Sequence, residues 1–239
     1  MIETFTALLL AHVLADFTLQ TNWINANKSR PHVLVLHGAI VWITAHLALG
    51  QIYDATLALL TAAHLLIDAI KTYGGFRKLG AFLLDQMAHL ATLLAAASYA
   101  PTLWSTGAWA AYDPLLPLMA LAAGAITALT AGRHAVALLM QPHTQRIRNA
   151  GLRDGGRQIG LLERGLIYLM MLAGQPLGVG FLIAAKSVLR FGTAMRDQRL
   201  AEYVIIGTLA SFGWAIATAL ATQALLGALP PLEIIPSSP

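Results

Sequence analysis

Apolar runs of roughly the 20 residues that cross a bilayer recur along this chain. They fall at about residues 3–20, 33–51, 55–71, 81–100, 114–140 and 201–228, separated by short polar connections. Each run predicts a spanning helix. The few polar residues inside them are spaced at four, so that they share a helix face. His12 and Asp16 stand in "AHVLADF", His64 and Asp68 in "AHLLIDA", and Asp85 and His89 in "LLDQMAH", while Gln20 continues the first stripe. A further apolar segment, 163–190, would be about 42 Å long as one helix, more than a hydrocarbon core of about 30 Å. It contains "GQPLGVG" at 174–180, where Pro176 removes a helix hydrogen bond. A broken or kinked element is expected there.

Charge changes the picture by supplying orientation. The connections at 21–32 (Lys28, Arg30), 71–80 (Lys71, Arg77, Lys78) and 141–162 (Arg146, Arg148, Arg153, Arg157) are basic, and 101–113 holds no Lys or Arg. The positive-inside rule makes the basic connections cytoplasmic and the N-terminus external. The connection at 190–200 carries Arg190, Arg196 and Arg199. Placed on the same side, it makes 163–190 a re-entrant hairpin with Gln175 and Pro176 near its tip; one tilted, kinked span is the alternative.

Composition agrees with the pattern. Hydrophobic residues make up 57% of the chain and charged residues 11%, well under the roughly one quarter of a soluble domain. The expected fold is an all-α polytopic membrane protein of about six transmembrane helices plus the 163–190 hairpin, in one integral domain over 1–239. The segment "MIETFTALLLAHVLADF" carries Glu3 where a signal peptide has basic residues, and is read as the first helix. The absence of cysteine removes thiolate ligands, disulfides and cysteine nucleophiles. A net charge of +4 suits anionic headgroups, and no aromatic-basic pattern points to nucleic acid.

The polar positions also repeat. Adding 52 to 12, 16 and 37 gives 64, 68 and 89, so His12, Asp16 and His37 become His64, Asp68 and His89. This predicts a tandem parallel repeat of two helical hairpins, 3–51 and 55–100, about an axis along the membrane normal. All seven His and Asp groups would lie in the cytoplasmic half of the membrane. Ionisable residues there are costly and usually functional. Four imidazoles and three carboxylates suit one or two divalent ions, zinc or manganese first. His12, Asp16, His64, Asp68 and His89 are the expected ligands, and His37 and Asp85 the ligand or acid-base candidates. The alternative is that these groups bond only to one another as packing glue. His32, His46, His134 and His143 read as polar or interfacial histidines.

The second half, 114–228, offers cations and carboxylates: Glu163 and Arg164 opening the hairpin, Lys186 and Arg190 closing it, and Glu202 starting the last helix. With Gln20 and Lys71, these are the expected substrate-binding residues, the cations gripping a phosphate or, equally, snorkelling or pairing with Glu163 and Glu202. "GLRDGGRQIG" at 151–160 is too loose a pattern for a phosphate loop.

Together "AHVLADFTLQ", "AHLLIDAIK", "LLDQMAH", "GRQIGLLERGLIY", "AAKSVLRF" and "EYVIIGTLASF" resemble the bacterial membrane proteins grouped as domain-of-unknown-function family 3307, from residue 7 to about 215. The resemblance implies a bacterial inner-membrane protein and no particular reaction. It picks out His12, Asp16, Gln20, His64, Asp68, Lys71, Asp85, Gln86 and His89, then Glu163, Arg164, Lys186, Arg190, Glu202 and Gly207. The expected function is a membrane-embedded, metal-dependent hydrolase at the cytoplasmic leaflet, acting on a lipid ester or phosphoester, with membrane lipid as partner. A divalent cation or proton transporter, and a non-catalytic membrane protein, are the alternatives. Homo-oligomerisation stays open.

Overall fold

The computed structural model describes residues 1–112, 114–144, 154–194 and 198–231. Among them every regular element is helical: α1 (Ile2–Leu14), α2 (Asn22–Asn27), α3 (Pro31–Leu49), α4 (Ala55–Tyr73), α5 (Leu79–Tyr99), α6 (Leu115–Ile126), α7 (Gly132–Thr144), α8 (Gly155–Leu172), α9 (Pro176–Ala194) and α10 (Gln198–Leu226). Two π turns, Ala15–Leu19 and Thr127–Ala131, continue α1 and α6. Six stretches are long and apolar enough to cross a membrane: Ile2–Leu19, Pro31–Leu49, Ala55–Tyr73, Leu79–Tyr99, Leu115–His143 and Ala201–Gly227. They fall within a few residues of the six apolar runs. Polarity is inverted relative to a soluble bundle: on α4, Leu66 is 62% exposed while Asp68 is 3% exposed. This is an integral membrane protein.

The described residues form two compact units, one of 1–126 with 224–231 and one of 127–223. In the first, α1 and α4 each pack against both α3 and α5, and α6 lies along α1. Local chemistry sets the helix ends. Pro31 opens α3, where its missing N–H costs nothing, and Gly50 closes it at φ 67°. Asp54 caps α4, its carboxylate accepting from the Thr56 amide at 2.7 Å. α3 approaches α4 at Gly38, where an added Cβ would lie 2.7 Å from Leu65 Cδ1.

One end of this unit is plugged. The segment 101–112 folds over it, with Leu103 and Trp104 buried against Leu8, Leu49, Leu57 and Leu93. Thr4 Oγ1 donates to the Pro101 carbonyl at 2.9 Å, Gln51 Nε2 to that of Leu103 at 2.7 Å, and Trp109 Nε1 to that of Leu47 at 2.7 Å. These bonds tie the 101–112 segment to α1, α3 and the turn after α3.

In the second unit α8 and α9 form a hairpin. The break falls at Ala173–Gln175, with Gly174 at φ 68° and Pro176 beginning α9, where the glycine and proline of "GQPLG" predict it. Ile167 and Val179 pack with Phe212 and Ala215 of α10. α8 begins at Gly155, so Glu163 and Arg164 stand in mid-helix and do not open the hairpin. The π turn Thr127–Ala131 leaves carbonyls outside the usual ladder, and two side chains take them: Trp214 Nε1 donates to Thr127 at 2.9 Å and Arg164 Nη2 to Leu129 at 3.1 Å.

Candidate intramembrane metal centre

The ligand-bearing positions on α1 and its π turn, α3, α4 and α5 meet at the end of the first unit opposite the plug. At 1.5 Å per residue, His37 stands about 9 Å past the start of α3, Asp85 about 9 Å past that of α5, and Asp68 about 8 Å before the end of α4. Asp16 lies in the π turn, where the Gln20 amide reaches back five residues to the Ala15 carbonyl at 3.0 Å. That wider turn swings Asp16 inward, and π turns of this kind concentrate at functional sites.

Four atoms form the heart of the cluster. His37 Nε2 lies 3.1 Å from His64 Nε2, 3.3 Å from Asp16 Oδ1 and 3.2 Å from Asp68 Oδ2. His64 Nε2 lies 3.3 Å from Asp16 Oδ1 and 3.4 Å from Asp68 Oδ2. All four side chains are buried or nearly so; Asp16 Oδ1 has no aligned hydrogen-bond donor, while Asp68 Oδ2 is ion-paired with Lys28 Nζ at 2.6 Å. A buried polar atom left without a partner costs about 1–3 kcal/mol. A tetrahedral ion with ligands about 2.0–2.1 Å away has ligand-to-ligand edges of about 3.3–3.4 Å. Five separations within this set fall at or just below that length, and His37, His64 and Asp68 each offer one ligand atom within 4.8 Å of the others, a donor chemistry that suits such an ion.

Around this core stand His12, Asp85 and His89. The His89 Nδ1–H donates to the Asp85 carbonyl at 2.8 Å, which leaves Nε2 presented inward, buried and without a partner. A backbone carbonyl holding one imidazole nitrogen so that the other faces a metal is the usual support of a ligating histidine. Asp85 Oδ2 accepts from Lys71 Nζ at 2.6 Å and Gln86 Nε2 at 3.0 Å, while Oδ1 is unpartnered. His12 Nε2 faces Gln86 Oε1 at 3.4 Å. Ring distances respect the 52-residue offset: His37 to His64 is 5.2 Å, and its counterpart, His89 to His12, is 5.1 Å.

The cluster thus gathers all seven His and Asp positions expected from the sequence, and places His37, expected as ligand or acid-base group, among the innermost donors. Lys28 was not among the expected site residues. Its Nζ lies 2.6 Å from Asp68 Oδ2 and 2.7 Å from Gln20 Oε1, and it is buried although it stands in a basic connection. The signal was the short helix α2, capped by Thr21 and carrying exposed Trp23, which tucks its C-terminal lysine inward. Gln20 therefore serves Lys28.

In the second unit Glu163 accepts from Lys186 Nζ at 2.6 Å. Arg164 is 2% exposed; its Nη1 donates to Ser211 Oγ and its Nη2 to the Leu129 carbonyl, both at 3.1 Å, so both terminal nitrogens are held by internal partners. Glu202 accepts from Gln198 at 3.1 Å on an exposed face. The side chain of Arg190 and residues Arg146, Arg148, Arg153 and Arg196 lie outside the described residues. His46 is buried, its Nδ1 donating to the Trp42 carbonyl at 2.8 Å.

Residues 4–113 match the model of a family described as "Protein of unknown function (DUF3307)", the family that the motifs resemble. The match includes every His and Asp of the cluster, with Gln20, Lys28, Lys71 and Gln86; Glu163, Arg164, Lys186, Arg190, Glu202 and Gly207 lie beyond it. No curated protein and no solved structure matches the chain.

Proposed function

We propose that this chain is a membrane-embedded, metal-dependent hydrolase of the bacterial inner membrane, acting on a lipid phosphoester or ester at the cytoplasmic leaflet. The observation that carries this reading is the set of 3.1–3.4 Å separations among Asp16 Oδ1, His37 Nε2, His64 Nε2 and Asp68 Oδ2. Those four residues would hold a zinc or manganese ion. When bound, such an ion polarises a phosphoryl or carbonyl oxygen and lowers the pKa of water towards 7.

The chain's own residues supply the rest. Lys71 and Gln86 hold Asp85 Oδ2, which leaves Oδ1 turned inward, available either as a ligand or as a proton acceptor. Lys28 neutralises Asp68 and keeps a positive charge at the mouth of the cluster. Exposed Trp23, Tyr73 and Phe76 suit the headgroup level at the same end. Basic connections at this end support a cytoplasmic mouth and an external N-terminus.

Between hydrolase and transporter, the plug favours hydrolase. Transport needs a path to both faces, and the far half of the first unit is filled by Leu8, Leu49, Leu57, Leu93, Leu103 and Trp104.

The test is metal analysis of the detergent-purified full chain beside an Asp16→Asn, Asp68→Asn double variant, with phosphate release measured from vesicles containing phosphatidic acid and release of fatty acid from the same vesicles. Stoichiometric metal and turnover in the wild type, both lost in a folded variant, are expected. A folded wild type that takes up neither zinc nor manganese overturns the reading.

A further inference from the structure

We infer that the cluster is built for two divalent ions sharing Asp68, and that its substrate is a phosphoester. This rests on the metal reading above and extends it to a second position. The first position is the set Asp16, His37, His64 and Asp68. The second is formed by Asp68, Asp85 and His89, each offering one ligand atom within 4.8 Å of the others.

Three observations point to the second position. His89 Nε2 and Asp85 Oδ1 are both buried and both without a hydrogen-bond partner, although the other end of each group is firmly held. Side chains fixed at one end and left bare at the other are arranged as ligands are. His89 is also the 52-residue counterpart of His37, and the stacked His12 is the counterpart of His64, so each half of the repeat meets the other twice. Asp68 belongs to both sets and has two carboxylate oxygens, which is what a bridging ligand requires.

Charge then selects the substrate. Asp16, Asp68 and Asp85 carry three negative charges, and Lys28 and Lys71, each 2.6 Å from one of these carboxylates, return two. The protein's own charge at the site is therefore minus one, with neutral histidines. Two divalent ions would leave the buried site at plus three, a charge the membrane interior strongly disfavours. A phosphoester brings negative charge of its own and a neutral carboxylic ester brings none. Paired ions about 3.5–4 Å apart are, moreover, a recurring arrangement for phosphoryl chemistry, where they hold the attacking and leaving oxygens.

The experiment uses the full chain in detergent, stripped with chelator and reloaded with Mn(II) alone, read by elemental analysis and electron paramagnetic resonance. Two manganese ions per chain with an exchange-coupled spectrum are expected in the wild type. His89→Ala and, separately, Asp85→Asn should each retain one ion and show an uncoupled six-line signal. Inorganic phosphate should alter the coupled spectrum. One ion per chain in the wild type, or two that are uncoupled, overturns the shared centre while leaving the metal reading standing. No ion at all overturns both. A coupled spectrum that millimolar phosphate leaves unchanged overturns the phosphoester assignment.

Discussion

His37 Nε2 on α3 and His64 Nε2 on α4 face each other at 3.1 Å. A single proton can join two such nitrogens, but the carboxylate oxygens of Asp16 and Asp68 stand at 3.2–3.4 Å from the same pair. One proton cannot serve four acceptors at once. In the metal reading proposed above, a divalent ion bound among them would engage both nitrogens and both carboxylates. His37→Ala should therefore lower metal affinity by more than the roughly 10–100-fold typical of losing an outer-shell partner. Equilibrium dialysis of zinc against wild type and variant, both monodisperse in detergent, measures it. Unchanged affinity would place the ion elsewhere.

Lys28 gives a different kind of expectation, because it matters most when no ion is present. Its ammonium compensates Asp68 inside the protein, and removing one partner of a buried pair costs roughly 3–5 kcal/mol. Lys28→Met should lower the melting temperature of chelator-stripped protein clearly. A bound divalent ion takes over the compensation, so saturating zinc should raise the melting temperature of the variant more than that of the wild type. Thermal scans with and without zinc give the comparison. Equal zinc-induced shifts would mean that Lys28 and the ion do not compete for Asp68.

Orientation is testable because the chain has no cysteine of its own. Ser105, on the plug, and Ser29, beside the mouth of the cluster, are both exposed. A membrane-impermeant maleimide added to spheroplasts should label Ser105→Cys directly and Ser29→Cys only after permeabilisation. The reverse pattern would turn the site to the outer leaflet and exclude a cytoplasmic substrate pool.

Much of this was readable in the order of residues, for physical reasons. Spanning helices must be long and apolar, so the six runs announced themselves to within a few residues. The four-residue spacing of His12 with Asp16 and His64 with Asp68 survives as shared faces, at 3.9 Å and 3.4 Å. The break at Gly174–Pro176 followed from backbone chemistry alone. What was hidden depends on how the chain turns or packs. The π turn at Ala15–Leu19 has no sequence signature, although it aims Asp16. Lys28 looked like a surface charge because its burial comes from the fold of α2 against α3. Arg164 resembled a headgroup anchor; it became an internal strut once the carbonyls of the Thr127–Ala131 turn needed a donor.

Gly38 links packing to chemistry. It stands beside His37, and a Cβ there would lie 2.7–3.0 Å from the Leu65 side chain, next to His64. The absent side chain lets α3 and α4 close up, as small residues do between membrane helices, and this closeness brings the two imidazoles to 3.1 Å. Gly38→Ala meets only the end of a flexible leucine, which can turn aside, so metal binding should survive with a modest loss. Gly38→Val places branched methyls against Leu65 and should force the helices apart by a fraction of an ångström or more, because overpacking is relieved by backbone shifts. Expected is a graded series, with zinc affinity nearly intact in Gly38→Ala and severely reduced in Gly38→Val while both insert and remain monodisperse. Combining Gly38→Val with Leu65→Ala should restore the approach of the helices and with it much of the affinity. Failure of that rescue would show that α3–α4 spacing does not control the site.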